Sequence, residues 1–477
     1  MSNYSLSKFQ SPSIDPKNPW MDDVLERKPF GETIASMIRG INQPYVISLK
    51  GDWGSGKSVF LRRIQASLEI TPRQTPVIFV DAWKHDYYED PLYALVSAIE
   101  ERLIEHENSN GGNGQSAVEL AKQMFASAGR VIAPLAKITG GAIDLVTGGA
   151  VSDIAEGVGE LGAALRQANL DKRDAHENLT EQFRSARDNL LGRNNEDLAR
   201  PWREEKVVVI IDELDRCRPD YAIRLLERVK HYFDLPGYIF LIAIDGENLH
   251  SAVRSLYGPT ADGEKYLRKF FDLELYLPAP NSIKFNRLLR SSFEVGADET
   301  KWNNQLQQIA DDSSSFHFSK FSLIEASAHF EMIATALNLR LRDQAQAFAR
   351  LHAATAAFGR NSSFIPVATA FITCLRHYDY DTYEAWRTRG VVPEPDESPY
   401  VSLVHQQSRI TADSLYTYLT LARFKTVDEF KQAINFTSRD SQLDTLIQRR
   451  LPSNLNSWPA LFKSSHRDIF TLSRMTD

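Results

Sequence analysis

Cysteine is nearly absent from this chain of 477 residues, which has two, Cys217 and Cys374. They form no cluster with metal-ligand spacing, so the sequence argues against a disulfide framework or a structural zinc site. We expect both thiols to be buried or incidental. An excess of basic residues is also missing, since the formal net charge is -7. Composition therefore gives no argument for nonspecific nucleic-acid binding, although it does not exclude it.

Long apolar runs are missing as well. No segment reaches about 18 uninterrupted apolar residues, the length that a membrane-spanning helix requires. The Gly- and Ala-rich segment 131–165 comes nearest, but charged side chains that are costly in a bilayer interrupt it at Lys137, Asp144, Asp153, Glu156 and Glu160. The N-terminus lacks the charged-then-apolar pattern of a signal peptide. We expect a cytoplasmic protein without an integral membrane segment, with peripheral membrane contact left open.

The most informative segment that is present is the glycine-rich turn from Gly51 to Ser58, which follows an apolar run and precedes a helical pattern. It matches the phosphate-binding loop G-x-x-x-x-G-K-[ST] in its strand, turn and helix context. Glycines let backbone N–H groups approach a phosphate, and the helix N-terminus attracts its charge. We expect Lys57 to contact the β- and γ-phosphates and Ser58 to hold Mg²⁺.

Apolar runs alternate with helical patterns on both sides of residues 107–200. This alternation predicts an α/β fold with a doubly wound, mostly parallel sheet and a nucleotide at the carboxyl ends of its strands. The insertion ends in a helix with an apolar face at Leu179, Phe183, Ala186 and Leu190. The predicted strands are 45–49, 77–80, 207–211, 238–244 and 271–277.

The same patterns divide the chain into an arm, an interrupted core and a helical C-terminal part. Residues 391–399 carry three prolines and predict a linker or exposed loop. The predicted regions are an N-terminal arm, 1–25; the first part of the core, 26–106; the insertion, 107–200; the second part of the core, 201–280; a helical lid or sensor region, 281–390; and a C-terminal helical region, 400–477.

A second acidic motif follows the buried apolar run 207–211, which ends in Asp212-Glu213-Leu214-Asp215-Arg216. Asp212 is expected to hold Mg²⁺ through its water shell. Glu213 is the candidate general base for a water opposite the γ-phosphate, and the alternative for both carboxylates is a surface position at a strand end. Asp215 and Arg216 are expected to pair with each other or to contact a neighbouring subunit.

Further candidates follow the next strand. Asp245 ends the run 238–244, where it either senses the γ-phosphate or caps the helix beginning near Glu247. Arginines that would neutralise transition-state charge, in the same chain or in a neighbouring subunit, are Arg268 and Arg340, with Arg254 and Arg342 as further candidates.

Taken together, these motifs resemble the KAP family of P-loop NTPases over roughly residues 20–350. Trp53 makes the Walker A resemble that of the family, and 211–217 is similar to its Walker B, where members often have Asp in place of Glu213. Segments 23–30, 81–83, 235–245 and 266–270 also resemble family motifs. The resemblance implies nucleotide-binding residues at Gly51, Asp52, Trp53, Gly54, Ser55, Gly56, Lys57, Ser58 and Val59, with Arg27 from the segment before the core.

The resemblance also explains the insertion, which in many members carries transmembrane helices, whereas this one is too charged to span. Many bacterial members of the family resemble phage-exclusion and antiphage-defence ATPases. The resemblance thus implies ATP and Mg²⁺ as cofactors, and a homo-oligomer or effector proteins encoded nearby as partners.

Three functions follow as hypotheses. The first is a Mg²⁺-dependent ATPase that powers or switches a multiprotein assembly, with Glu213, Lys57 and Asp245 as catalytic residues. The second is a nucleotide-gated scaffold with little turnover. The third, a nucleic-acid-associated motor, has thin support because basic clusters such as Arg449-Arg450 are short.

Overall fold

The computed structural model describes residues 13–70, 74–132, 151–192, 206–232, 235–293, 295, 322–358, 365–395 and 399–423. Several predicted features lie at least partly outside these residues, among them the linker 391–399 and the helical region 281–390. The start of the N-terminal arm, about half of the Gly- and Ala-rich segment 131–165, and the C-terminal region beyond residue 423, which includes Arg449 and Arg450, also lie outside them.

The centre of the described chain is one parallel sheet of five strands in the order β2-β3-β4-β1-β5. Strands β3 and β4 are buried along their whole length, as expected for β-branched runs covered on both faces. All five predicted strands are present, and the last is shorter than predicted. The bounds are β1 (Tyr45–Lys50), β2 (Val77–Asp81), β3 (Val207–Asp212), β4 (Tyr238–Ile244) and β5 (Leu273–Tyr276).

The register of the sheet brings its acidic strand ends together. Asp81 of β2 lies opposite Asp212 of β3, and the last residue of β1, Lys50, lies opposite Ile244 of β4. The P-loop that follows β1, Asp212 at the end of β3 with the adjacent Glu213, and Asp245 after β4 therefore meet at one edge. This is the edge at which open α/β sheets bind their ligands.

Helices cover both faces of the sheet, with one apolar core on each side. One core joins the sheet to α1 and α2, and the other joins it to the helices that follow β2, β3 and β4. The helices of this part are α1 (Lys28–Gly40), α2 (Lys57–Glu69), α3 (Leu92–Ser109), α4 (Gln115–Ile132), α5 (Val151–Leu190), α6 (Pro219–Tyr232), α7 (Gly246–Tyr257) and α8 (Gly263–Arg268).

The segment before α1 packs against the body of the protein. Trp20 is buried, and its indole N–H donates to Ser67 Oγ on α2 at 2.8 Å. Arg63 on α2 donates to the carbonyl oxygens of Pro19 and Asp22. The burial of the large indole surface and these hydrogen bonds to α2 attach the part of the predicted arm around Trp20 to the protein.

The insertion is attached to the sheet core through its long last helix. Leu179, Phe183, Ala186 and Leu190 of α5 are all buried in that core, which confirms the face predicted from their spacing. The Tyr238 hydroxyl donates to the Phe183 carbonyl oxygen at 2.8 Å. Among the described residues, no helix is long and apolar enough to cross a membrane.

The helices after β5 form a second body, here called the helical module, with an apolar core of its own. In the described part of this module α10 packs extensively on α12, and α14 packs on α15. The helices of the module are α9 (Ser282–Ser292), α10 (Ser322–Ala336), α11 (Leu341–Phe358), α12 (Pro366–Tyr378), α13 (Tyr380–Arg389), α14 (Pro399–Gln407) and α15 (Arg409–Ala422).

Candidate functional site

The P-loop has the backbone conformation that its glycines predict. Gly54 and Gly56 have φ values of +80° and +89°, in the left-handed region that side chains disfavour. Gly56 is the N-cap of α2, so Lys57 and Ser58 begin that helix and Val59 lies half-buried in its first turn. Asp245 fixes the middle of the loop, because its Oδ2 accepts the Trp53 N–H at 3.0 Å.

Lys57 lies beneath the loop, in a buried position. Its Nζ donates to the carbonyl oxygen of Gly51 at 2.6 Å and lies 3.4 Å from Asp215 Oδ2. Both side chains of this ion pair are more than nine-tenths buried. A buried carboxylate is strongly destabilising when its cation is removed. The structure thus gives Asp215 a partner other than the Arg216 expected from the sequence.

Ser58, the residue after Lys57, forms a cluster with Asp212 and Glu213. Ser58 Oγ donates to Glu213 Oε1 at 3.2 Å, and the Asp212 carboxylate accepts the Glu213 backbone N–H at 2.9 Å. Burial raises the pKa of the Asp212 carboxyl, an effect that hydrogen bonds from Ser58 and Glu213 oppose. Burial, followed by the charge of Asp212, raises the pKa of Glu213.

The backbone of Glu213 turns the chain sharply at the end of β3. Its φ is +60°, a left-handed conformation that is uncommon for a residue with a side chain. The short 3₁₀ turn Leu214–Arg216 follows directly. This turn carries Asp215 to Lys57 and places Arg216 against the Glu213 carboxylate as an ion pair. Non-glycine residues held in this conformation cluster at functional sites.

Arg27 is buried beside the P-loop and binds its backbone. Arg27 is 3% exposed, and its guanidinium donates to the carbonyl oxygens of Ser55 at 2.8 Å and Pro278 at 2.7 Å. Burial lowers the pKa of Arg27 to about 10. The contacts tie the P-loop to the chain that leaves β5. Direct nucleotide contact by Arg27 remains a prediction.

Asp245 caps the N-terminus of α7, which is one of the two roles that the sequence allows for it. Its Oδ1 accepts the backbone N–H groups of Glu247 and Asn248 at the start of α7. Since Oδ2 accepts the Trp53 N–H, the same carboxylate joins the helix cap to the P-loop. Its role toward a γ-phosphate remains a prediction.

The candidate arginines divide into two groups. Arg340 Nε lies 3.9 Å from Asp52 Oδ2, and the guanidinium of Arg342 lies 5.1 Å from the ring centroid of Trp53. Arg254 and Arg268 are exposed and contact residues of their own helices, Ser251 and Glu264. The structure therefore brings Arg340 and Arg342 of the helical module to the P-loop, and it leaves Arg254 and Arg268 on the outer surface.

Two exposed indoles complete the edge of the site. Trp53 is 46% exposed and Trp83, just after β2, is 55% exposed. The Arg216 guanidinium lies 5.9 Å from the ring centroid of Trp53 and 5.4 Å from that of Trp83. Such distances are within the range of cation–π attraction.

The donor groups fit a nucleotide and a magnesium ion. Left-handed glycines and the start of α2 present backbone N–H groups of the kind that bind phosphate. A side chain on Gly54 would lie 2.8 Å from Arg342 Cβ, so the loop requires glycine there. A hydroxyl and two carboxylates, from Ser58, Asp212 and Glu213, are oxygen donors of the type that Mg²⁺ prefers.

Sequence reasoning missed three contacts of this site. These are the ion pair of Lys57 with Asp215, the ion pair of Glu213 with Arg216 and the backbone contact of Trp53 with Asp245. The left-handed residue after β3 decides the first two, and the sequence carries no signal for it. The third follows from adjacent strand ends, which the order of the sheet sets.

Comparison with known proteins identifies the family. A model of the KAP family P-loop domain matches residues 27–353, well over half of the chain. The chain belongs to the KAP family of P-loop NTPases. The resemblance inferred from the Walker motifs is thereby confirmed, and so is the P-loop α/β fold. The KAP match extends from α1 through the insertion into α11, so it includes Arg340 and Arg342.

Two individual proteins show a more limited similarity to the chain. The Phage T7 exclusion protein of Escherichia coli (strain K12) is 28% identical over 90 residues, which are 19% of this KAP chain and 12% of that protein. Among solved structures, the Aeropyrum pernix ORC2 protein in ADPNP–ADP complexes is 14% identical. The comparison covers 79% of this chain and 73% of that one, with a TM-score of 0.36.

Proposed function

We propose that this KAP-family chain binds ATP with Mg²⁺ and hydrolyses it. The observation that carries the proposal is the meeting of Lys57, Ser58, Asp212 and Glu213 at the carboxyl edge of the sheet. A phosphate cradle of this type uses a lysine and a hydroxyl, and hydrolysis in addition uses a residue that orients the attacking water or accepts its proton, a role that a carboxylate can fill. These groups come from two motifs more than 150 residues apart in the sequence.

The residues of the site would divide the work as follows. The P-loop N–H groups and Lys57 bind phosphate oxygens, and Ser58 with Asp212 holds the metal. Mg²⁺, when bound, neutralises charge on the phosphates and orients them. Glu213 orients a water and accepts its proton. ATP rather than GTP is proposed from family membership, because no residue motif for guanine recognition is evident.

The main test compares steady-state hydrolysis by the wild type with that by Glu213→Gln. The substitution keeps the shape of the side chain but removes its basicity, so we expect a loss of about 10²-fold or more in kcat with ATP binding retained. Normal hydrolysis by Glu213→Gln would refute the assignment of the base. The hydrolysis should also disappear when Mg²⁺ is removed by a chelator.

The corresponding test of binding needs care, because Lys57 neutralises a buried carboxylate. Lys57→Ala leaves Asp215 buried without its cation, a change that costs roughly 3–5 kcal/mol. We therefore pair it with the double variant Lys57→Met/Asp215→Asn, which removes both charges. Binding of a fluorescent ATP analogue should be lost in both variants, and normal binding by the folded double variant would contradict the role of Lys57.

A second function, a nucleotide-gated scaffold with little turnover, is favoured by the contacts of the helical module with the P-loop. Arg340 lies near Asp52, and Leu341 is within 4 Å of the position that a side chain on Gly56 would occupy. Nucleotide binding would then set the position of the module. Glu213→Gln would preserve the biological effect under this hypothesis, whereas the binding variants would abolish it.

The biological setting that we propose is antiphage defence in bacteria, within an assembly of identical subunits or of effector proteins. It is supported by family membership and by the 90-residue similarity to the Phage T7 exclusion protein. Plating efficiency of phages on cells that express the wild type or the Lys57 variants would test it. Equal plating on all strains would contradict it, and particle mass with and without ATP would report assembly.

A further inference from the structure

Both carboxylate oxygens of Glu213, the candidate base, already have a partner in the described site. Oε1 accepts the hydrogen bond from Ser58 Oγ at 3.2 Å, and Oε2 is held in the ion pair with Arg216 Nε. A carboxylate must offer one oxygen to the water that it deprotonates. Since Ser58 is expected to turn toward a metal ion, the contact with Arg216 is the one that restricts Glu213.

The ion pair of Arg216 with Glu213 is a contact between charges without a well-directed hydrogen bond. Within the described part of the chain, Arg216 Nε has no acceptor in a direction suited to a hydrogen bond, although it lies against Glu213 Oε2. The two side chains are 28% and 18% exposed. Partly exposed pairs of this kind contribute little to stability, so this contact can open at small cost.

The two tryptophans hold the Arg216 guanidinium in this position. Trp53 belongs to the P-loop and Trp83 to the turn after β2, and the guanidinium lies within 6 Å of both ring centroids. The face of an indole ring attracts a cation electrostatically, so both rings favour this position of the guanidinium. The position of Arg216 is therefore set by elements that follow three different strands.

The same Trp53 ring also meets Arg342 of the helical module, at 5.1 Å. A continuous path of contacts thus runs from Arg342 through Trp53 and Arg216 to Glu213. A shift of the helical module would alter the environment of Arg216 through the shared indole.

We propose that Arg216 is a positioning residue that restrains Glu213, and that its two-tryptophan clamp keeps basal ATP hydrolysis slow. The inference rests on the proposed function, since a restraint on the base matters only if the base acts. Arg216 does not touch substrate in this proposal. It lowers the fraction of time in which Glu213 has an oxygen available for water.

The test is steady-state ATP hydrolysis by Arg216→Gln, which keeps much of the stem and removes the charge. We expect kcat to rise roughly two- to fivefold, as for the loss of a partly exposed ion pair, with KM unchanged within about twofold. Arg216→Lys, which keeps a cation near both indoles, should stay close to the wild type. Trp83→Leu should raise kcat by a smaller factor than Arg216→Gln.

A matched control is Arg218→Gln. Arg218 lies two residues further on and pairs with Asp86, away from Glu213, so it should leave kcat unchanged. The double variant Arg216→Gln/Glu213→Gln should be as slow as Glu213→Gln alone, because the gain acts through Glu213. A merely structural role for Arg216 would not produce this dependence.

The outcomes separate the two proposals. If kcat of Arg216→Gln falls or does not change while Glu213→Gln is inactive, the restraint is refuted and the proposed ATPase stands. If Glu213→Gln hydrolyses ATP at the normal rate, the proposed base itself is wrong. A rise in kcat that persists in the double variant would also overturn the restraint.

Discussion

At the scale of single residues, the site depends on a few backbone conformations that side chains disfavour. Gly54 and Gly56 open the P-loop with positive φ values, and Glu213 has a positive φ despite its side chain. Each of these conformations directs the neighbouring groups toward the site, whereas an extended or helical residue at the same position would direct them elsewhere. The buried pair of Lys57 and Asp215 and the support from Arg27 then fix the loop from below.

Gly54→Ala tests the backbone requirement of the P-loop. A Cβ at this position would lie 2.8 Å from Arg342 Cβ, and its φ of +80° is unfavourable for alanine. We expect the free energy of unfolding to fall by about 1–2 kcal/mol, and ATP binding to weaken. Denaturant titration and a fluorescent ATP analogue would measure both.

The control for this change is Gly40→Ala at the end of α1. A Cβ there would have no neighbour within 4 Å among the described atoms, and its φ is outside the strained range. Its stability should match the wild type or exceed it slightly. A Gly54→Ala protein as stable as Gly40→Ala would show that the loop tolerates side chains.

At the scale of elements, the insertion is the part whose role is least evident from motifs. The sequence marks it as an interruption of the α/β pattern, and the structure attaches its last helix, α5, to the sheet core. The Tyr238 hydroxyl bonds to the Phe183 carbonyl, and Arg187 donates to the Pro236 carbonyl oxygen, so α5 holds the start of β4. The helix therefore helps to position the strand that leads to Asp245.

Phe183→Ala tests this attachment. Phe183 is fully buried between the sheet and its neighbouring helices, so its truncation should lower the free energy of unfolding by about 3–5 kcal/mol. Leu170→Ala, on the same helix but 49% exposed, should change it by less than about 0.5 kcal/mol. Equal effects in thermal or chemical denaturation would show that α5 does not depend on this face.

At the scale of the whole molecule, the sheet with its covering helices and the helical module contact each other at the P-loop. The helical module has its own core, yet it contacts the P-loop through Arg340 and Arg342 and is joined to the segment before α1 by Glu26, whose carboxylate pairs with Lys284 of α9. Exposed ion pairs such as Arg340 with Asp52 are weak individually. The arrangement suits a module whose position responds to the occupant of the P-loop.

Hydrogen exchange with and without a slowly hydrolysed ATP analogue tests this response. We expect slower exchange in the P-loop and also at the start of α11, because ligand binding stabilises the elements that contact the site. In Arg340→Ala/Arg342→Ala the slowing should be confined to the P-loop and α2. An unchanged helical module in the wild type would contradict the coupling.

The sequence by itself determined the strands, the P-loop and the two carboxylates at the end of β3, Asp212 and Glu213. These features are encoded by consecutive residues, namely β-branched runs, glycines at fixed spacing and a lysine before a serine, so a single local pattern is enough to find them. Family membership follows from the same motifs, and the apolar face of α5 follows from helical spacing.

Only the tertiary structure decided which of these groups meet. Lys57 and Asp215 are 158 residues apart, and Arg342 reaches Trp53 from a separate helical body. The sequence allows Asp215 and Arg216 to pair with each other or to contact a neighbouring subunit, but after the left-handed turn at Glu213 Asp215 pairs with Lys57 and Arg216 pairs with Glu213. Such contacts depend on strand order and on the directions in which elements end, and no local pattern of residues specifies either of them.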